Sequence, residues 1–85
     1  MRILVVEDDP QLLDAVCTVL AEESYDVDGA DNGSDGLYLA RQRIHDLIVL
    51  DIMLPGVNGL TILSELRSKG MTMPILLLTA KDGVE

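Results

Sequence analysis

The sequence predicts an α/β domain, one parallel sheet with helices on both faces, built in the order βαβαβαβ. Three observations carry that expectation. Apolar runs at Ile3 to Val6, Leu47 to Leu50 and Ile75 to Leu78 are too short for helices and read as fully buried strands. Segments between them place apolar residues at helical spacing behind an Asp or Asn. The connections are short, and such alternation argues for a parallel sheet joined by crossover helices.

Taken in order, the first strand, Ile3 to Val6, stops at Glu7-Asp8-Asp9. Asp9 before Pro10 reads as a cap and first turn, and Leu13, Val16 and Leu20 share one face of a helix that ends near Ser24. Tyr25 and Val27 alternate with Asp26 and Asp28, the period of a half-exposed strand, and Asn32-Gly33-Ser34 offers a turn and a second cap. Leu37, Ala40 and Ile44 mark the second helix. Leu47 to Leu50 is the next buried strand, Pro55-Gly56 turns the chain, and Asn58 caps a third helix with Ile62, Leu63 and Leu66 inward. Gly70 closes that helix, and Met73-Pro74 leads into the fourth strand.

Composition limits the functions open to such a chain. Eighty-five residues bound it to one small domain. Apolar residues make up 48% and aromatic residues 2%, with no Phe or Trp, so the core must come from Leu, Ile, Val, Met and Ala. Fifteen acidic residues against six basic ones give a formal charge of -9, which opposes direct contact with a nucleic acid backbone. Cys17 is the only cysteine, so no internal disulfide can form, and its apolar neighbours point to a core thiol. No signal peptide or membrane-length run is present, so a cytoplasmic protein without a membrane partner is expected.

The stretch LIVLDIMLPGVNG, residues 47 to 59, ends a greasy run on the lone carboxylate of Asp51. A carboxylate at the rim of a buried strand needs a cation, hydrogen bonds or a chemical purpose. Parallel strands all present their C-terminal ends to one edge, where ligands bind, so the polar residues that end the three runs should meet: Glu7-Asp8, Asp51 and Thr79. Carboxylates gathered there either share a proton or surround a hard divalent cation, and oxygen ligands favour Mg²⁺. Asp51 could then ligate the metal and also attack phosphorus as a nucleophile, with the Thr79 hydroxyl donating to a phosphoryl oxygen.

Other polar residues have plainer roles. Asp9 reads as a helix cap, His45 as a loop residue, and Met71 and Met73 as packing. Asp26, Asp28, Asp31 and Asp35 read as a solvated surface, and Tyr38 as partly exposed.

The segments VVEDDP, LDIMLPGVNG and LLLTAKD together resemble the three signature regions of the receiver domain of bacterial two-component response regulators. The likeness covers all 85 residues. It implies a flavodoxin-like, doubly wound sheet of strand order 2-1-3-4 and a phosphoacceptor signalling module rather than an enzyme. A sensor histidine kinase would donate the phosphoryl group to Asp51. The resemblance gives the metal Asp8, Asp51, the backbone carbonyl of Met53, and Glu7 through water. It makes Thr79 the switch hydroxyl and Ala80 a backbone amide to the phosphoryl group. Pro55 and Gly59 match the family loop, while Asn58 stands where an aspartate is common. VVEDD and LTAKD are most similar to regulators with a winged-helix output domain, through which alone DNA would be contacted.

A complete receiver continues through a fifth βα unit carrying a lysine, and Lys81 is not that lysine because it follows the fourth strand. Residues 1–85 are therefore expected to be a C-terminally truncated, partial receiver. One alternative is an inactive fragment that self-associates through its fourth strand, an exposed hydrophobic edge. Another is an aspartyl-phosphate hydrolase, which the non-acidic Met53 disfavours, because the best-known such family places its acid two residues after the nucleophile.

Overall fold

The computed structural model describes residues 1–78. Its elements are β1 (Arg2–Val6), α1 (Pro10–Glu22), β2 (Asp26–Ala30), α2 (Gly33–Ala40), β3 (Leu47–Asp51), α3 (Gly59–Ser68) and β4 (Ile75–Leu78). All strand pairs are parallel, in the order β2-β1-β3-β4. The expected order βαβαβαβ is thus the observed one. The α2 helix is shorter than the periodicity implied: it stops at Ala40, and Ile44 lies beyond it and is exposed.

Each helix starts where a side-chain oxygen satisfies otherwise unpaired amides. Asp9 Oδ1 accepts from Gln11 (3.0 Å) and Leu12 (3.4 Å), with Pro10 in the first turn. Asn32 Oδ1 accepts from Asp35 (2.8 Å), and Asn58 Oδ1 from Leu60 (2.7 Å) and Thr61 (3.4 Å). The carbonyl of Asn58 does this capping as an aspartate oxygen would, so the amide costs the helix nothing. Past the end of α3, Gly70 takes a positive φ of 77°, which an L side chain rarely adopts.

Alternation along the central strands splits the core in two. Leu4, Val6, Ile48 and Leu50 face α2 and α3, packing with Leu37, Ala40, Ile62, Leu66 and Met71. Ile3, Val5 and Val49 face the other way, toward Leu13, Val16, Cys17 and Leu20 of α1. The α1 helix buries no residue completely, and Cys17 is only partly covered. Burial, with Asp14 and Asp28 adding to it, pushes the Cys17 thiol pKa up.

A polar network closes the N-terminal edge of the sheet. Asp28 accepts from Arg2 Nε (2.9 Å) and Nη2 (3.2 Å), and His45 Nε2 lies 2.7 Å from Asp28 Oδ2. The His45 side chain is fully buried. The Arg2 guanidinium holds the Asp28 carboxyl below its usual pKa, with His45 helping and burial opposing. Asp46 brackets the Arg2 backbone, its amide donating to Arg2 O (2.7 Å) and its Oδ2 accepting from Arg2 N (2.8 Å). Asp28 is therefore not the solvated surface residue its period suggested, and His45 is a buried clamp between β2 and the start of β3. Sequence periodicity assigns a face but cannot show which partner waits there.

At the opposite edge, the loop after β3 is pulled onto the sheet. Leu54 is buried in the larger core, Ile52 N donates to Leu78 O (3.1 Å), and Gly59 N donates to Ile52 O (3.0 Å). The start of α3 crosses the end of β3 so closely that a Cβ on Gly59 would run into the Asp51 carbonyl oxygen and lie 2.8 Å from Ile52 Cα. Both are backbone atoms that cannot swing aside. Gly59→Ala should therefore destabilise the chain by about 1–3 kcal/mol, the usual cost of overpacking. Urea unfolding checks this, and a variant as stable as the parent would show that α3 can lift off β3 freely.

Candidate functional site

The register of the sheet brings two carboxylates together before any side chain is considered. Val6 pairs with Leu50 across β1 and β3, so one step further places Glu7 beside Asp51 on adjacent strand ends, roughly 4.8 Å apart in a sheet. Glu7 N still donates to Ala30 O (3.0 Å), which extends the ladder past β1. Its side chain turns back, and Oε2 accepts from the Asp9 amide at 3.0 Å. Asp51 Oδ1 accepts from the Met53 amide at 3.1 Å.

Glu7 and Asp51 are almost wholly buried, at 4% and 2% exposure, while Asp8 is exposed. One oxygen from each of Glu7, Asp8 and Asp51 lies within 4.8 Å of the other two. The described ion pairs join Arg2 and His45 to Asp28, and Arg41 and Lys69 to Glu65, so none of them reaches this cluster. Burial raises the pKa of Glu7 most, the Asp9 amide opposes it, and the charges of Asp51 and Asp8 push the same way as burial.

The donor set suits a hard divalent cation. It consists of carboxylate oxygens only, two buried and one open to solvent, which would leave positions for water or phosphate oxygens. Glu7, Asp8 and Asp51 are brought together as the sequence leads one to expect, and Met53 contributes a backbone amide to Asp51. Thr79 and Ala80 lie outside the described residues. Asp9, which caps α1, stays a cap.

Sequence reasoning missed how the loop is anchored. Gly33 N donates to Pro55 O (3.3 Å), and a Cβ on Gly33 would collide with the Val57 carbonyl, so the β3–α3 loop rests on the start of α2. The signal was available only as a glycine after a capping asparagine, which a turn explains equally well.

Comparison with known proteins agrees with this geometry. Residues 3–85 match the family described as response regulator receiver domain. The chain is 49% identical over 85 residues to the probable transcriptional regulatory protein SilR of Salmonella typhimurium, covering 100% of this chain and 37% of that protein. It is 48% identical over 85 residues to the transcriptional regulatory protein CusR of Escherichia coli K12, again covering 100% and 37%. The chain thus spans well under half the length of these relatives. Among solved structures, the receiver domain of the Francisella response regulator 1452 superposes with a TM-score of 0.90 at 30% identity, over 98% of this chain and 69% of that one. The response regulator TrrA of Thermotoga maritima, solved in complex with Mg²⁺-BeF, gives 0.85 at 42% identity, over 93% and 69%.

The electrostatics of the cluster make a pH prediction for the chain free of divalent cations. A carboxyl whose folded pKa is raised contributes stability below its unfolded pKa and loses that contribution as pH rises through the folded pKa. Above the ordinary glutamate range, keeping Glu7 in this site therefore costs stability, and neutral glutamine removes that cost. Glu7→Gln should be more stable than the parent at pH 7, and the gap should close as the pH falls to about 4, below the ordinary 4.5 of a glutamate. Denaturant unfolding across that range measures it, and a gap independent of pH would remove charge as its cause.

Proposed function

Because this chain belongs to the response regulator receiver domain family, we propose that Asp51 accepts a phosphoryl group from the phosphohistidine of a sensor kinase. The observation that carries this reading is the convergence of Glu7, Asp8 and Asp51 within 4.8 Å at the C-terminal edge of the sheet. In the transfer, an Asp51 oxygen bonds to phosphorus as the phosphorus–nitrogen bond breaks and its electron pair returns to the imidazole. The Met53 amide steadies Asp51 Oδ1, and the Asp9 amide holds Glu7 beside it. Mg²⁺ held by Asp8, Asp51 and the Met53 carbonyl, with Glu7 acting through water, would neutralise the gathered charge and draw in the phosphoryl oxygens. Thr79 and Ala80 complete the proposal as hydroxyl and amide donors to the phosphoryl group.

Signalling, not turnover, is the role that fits. Met53 has no proton to donate, so it cannot serve as the general acid of a hydrolase. The relatives are transcriptional regulatory proteins, and the reading extends to a transcriptional output whose DNA contact is made by a winged-helix domain outside these residues. It also includes a cytoplasmic location, where such regulators meet promoters. Among the described residues, no helix is long and apolar enough to cross a membrane.

Self-association is part of the same proposal. Among the described residues β4 has one neighbour, β3, and Leu76 at its centre is 55% exposed. Leu77 faces the other way and packs against the larger core. An apolar edge strand of this kind invites pairing with a second copy. Sedimentation at rising concentration should show assembly that Leu76→Lys weakens. A parent that stays monomeric would end this part of the proposal.

The phosphoacceptor reading is tested by Mg²⁺ with beryllofluoride and by a small phosphodonor. Mg²⁺ with beryllofluoride should raise the melting temperature of the parent, by the equivalent of about 2.7 kcal/mol at a hundredfold excess over the dissociation constant. Asp8→Ala and Asp51→Asn should lose that response. Intact-mass measurement should find phosphoryl addition well short of one group per molecule on the parent, and none on Asp51→Asn. Equal uptake by Asp51→Asn would place the chemistry elsewhere.

A further inference from the structure

A groove of about 400 Å³ lies between α1 and α2 along the outer strand β2, and none of Glu7, Asp8 and Asp51 lines it. Gly29 keeps its floor low, since a Cβ added there would already press on Leu13 Cδ1 and Cys17 Sγ at 3.3 Å. Leu13 and Leu39 supply apolar walls, and Tyr38 lines the groove while 66% exposed. Asp31 and Asp35 complete it, and Asn32 Nδ2 donates to both, at 2.8 Å to Asp31 Oδ1 and 3.0 Å to Asp35 Oδ2. The described ion pairs involve Asp28 and Glu65 only, so none of them supplies a cation to Asp31 or Asp35.

The walls of this groove suit an organic cation. A hydrated metal ion gains nothing from leucine side chains or a ring face. An alkylammonium uses every wall: its methylenes lie on Leu13 and Leu39, its charge meets the electron-rich face of Tyr38, and its N–H groups donate to carboxylate oxygens. The volume falls in the range of small-molecule sites, roughly 300–1,000 Å³. Asp14, exposed and next to Leu13 on α1, adds negative charge on the opposite side, where it joins burial in pushing the Cys17 thiol pKa up. Acid on both sides favours a ligand charged at both ends. We propose that the groove binds a small aliphatic diamine, with one ammonium held by Asp31 and Asp35 and the chain laid along Leu13, Leu39 and the Tyr38 ring. The formal charge of -9 raises the local concentration of such a dication. This binding site is independent of the phosphoacceptor reading of Asp51.

The probe is 1,4-diaminobutane, titrated into the full chain at constant ionic strength and followed through backbone amide NMR signals. Saturable shifts should centre on Leu13, Gly29, Asp31, Asp35 and Tyr38, and 1,4-butanediol, of the same length but uncharged, should cause none. Asp31→Asn and Asp35→Asn should each weaken binding about fivefold, the upper end for one exposed charge pair. Tyr38→Phe should keep the affinity and Tyr38→Ser should lower it, because the ring and not the hydroxyl makes the contact. Asp31, Asp35 and Tyr38 are all exposed, so these substitutions leave the core packing intact. Asp8→Ala should bind the diamine as the parent does. Shifts that grow without saturating overturn the proposal, because the dication then only screens charge. Shifts centred on Glu7, Asp8 and Asp51 that vanish in Asp8→Ala also overturn it and move the diamine to the acidic cluster. Parent-like affinity in both Asp31→Asn and Asp35→Asn does the same. Equal or tighter binding of Nα-acetyl-lysine amide overturns the diamine and assigns the groove to a lysine side chain of a partner protein.

Discussion

The mutual repulsion of Glu7, Asp8 and Asp51 is the constraint around which the rest of this structure is arranged. Two of the three are desolvated, and an ionised group in that position is costly without a partner. What holds them together is backbone, because the β1–β3 register places Glu7 beside Asp51 and the ladder continues through Glu7 N to Ala30 O. Side-chain hydrogen bonds then trim the geometry, the Asp9 amide on Glu7 and the Met53 amide on Asp51. A cluster assembled by loops alone would open to relieve its charge. One assembled by central strands cannot open without breaking the sheet.

The strength of that scaffold comes from an aliphatic core on both sides of the strands. Leu4, Val6, Ile48 and Leu50 are almost completely buried on one face, and Ile3, Val5 and Val49 on the other. Without Phe or Trp, these short side chains let helices approach closely, and glycine appears where the approach is closest. At Gly36 a Cβ would stand 2.7 Å from Val6 Cγ1, and at Gly59 it would meet the backbone of Asp51. Close packing thus couples the site to α2 and α3 directly.

The two edges of the sheet manage charge in opposite ways. At the N-terminal edge, Asp28 meets Arg2 and His45, and the guanidinium holds the carboxyl in its charged form. That network ties β1, β2 and the start of β3 into one unit. At the C-terminal edge, none of the described ion pairs reaches the carboxylates, and burial pushes Glu7 toward its protonated form. A sheet pinned at one end and electrostatically loaded at the other is suited to binding a cation and a phosphoryl group at the loaded end.

Much of this was legible in the linear sequence. Local rules sufficed for the buried strands, for the caps at Asp9, Asn32 and Asn58, and for the glycine that ends α3, because each depends on a few neighbouring residues. The carboxylates at strand ends were legible too, since parallel strands must bring their C-terminal ends to one edge. Tertiary structure alone decided the rest. The burial of His45 against Asp28, the seating of Pro55 on Gly33 and the exposure of Leu76 beside the burial of Leu77 all join or divide residues by contacts between distant segments. Periodicity tells which residues share a face, but what that face meets depends on how the strands and helices are assembled in space.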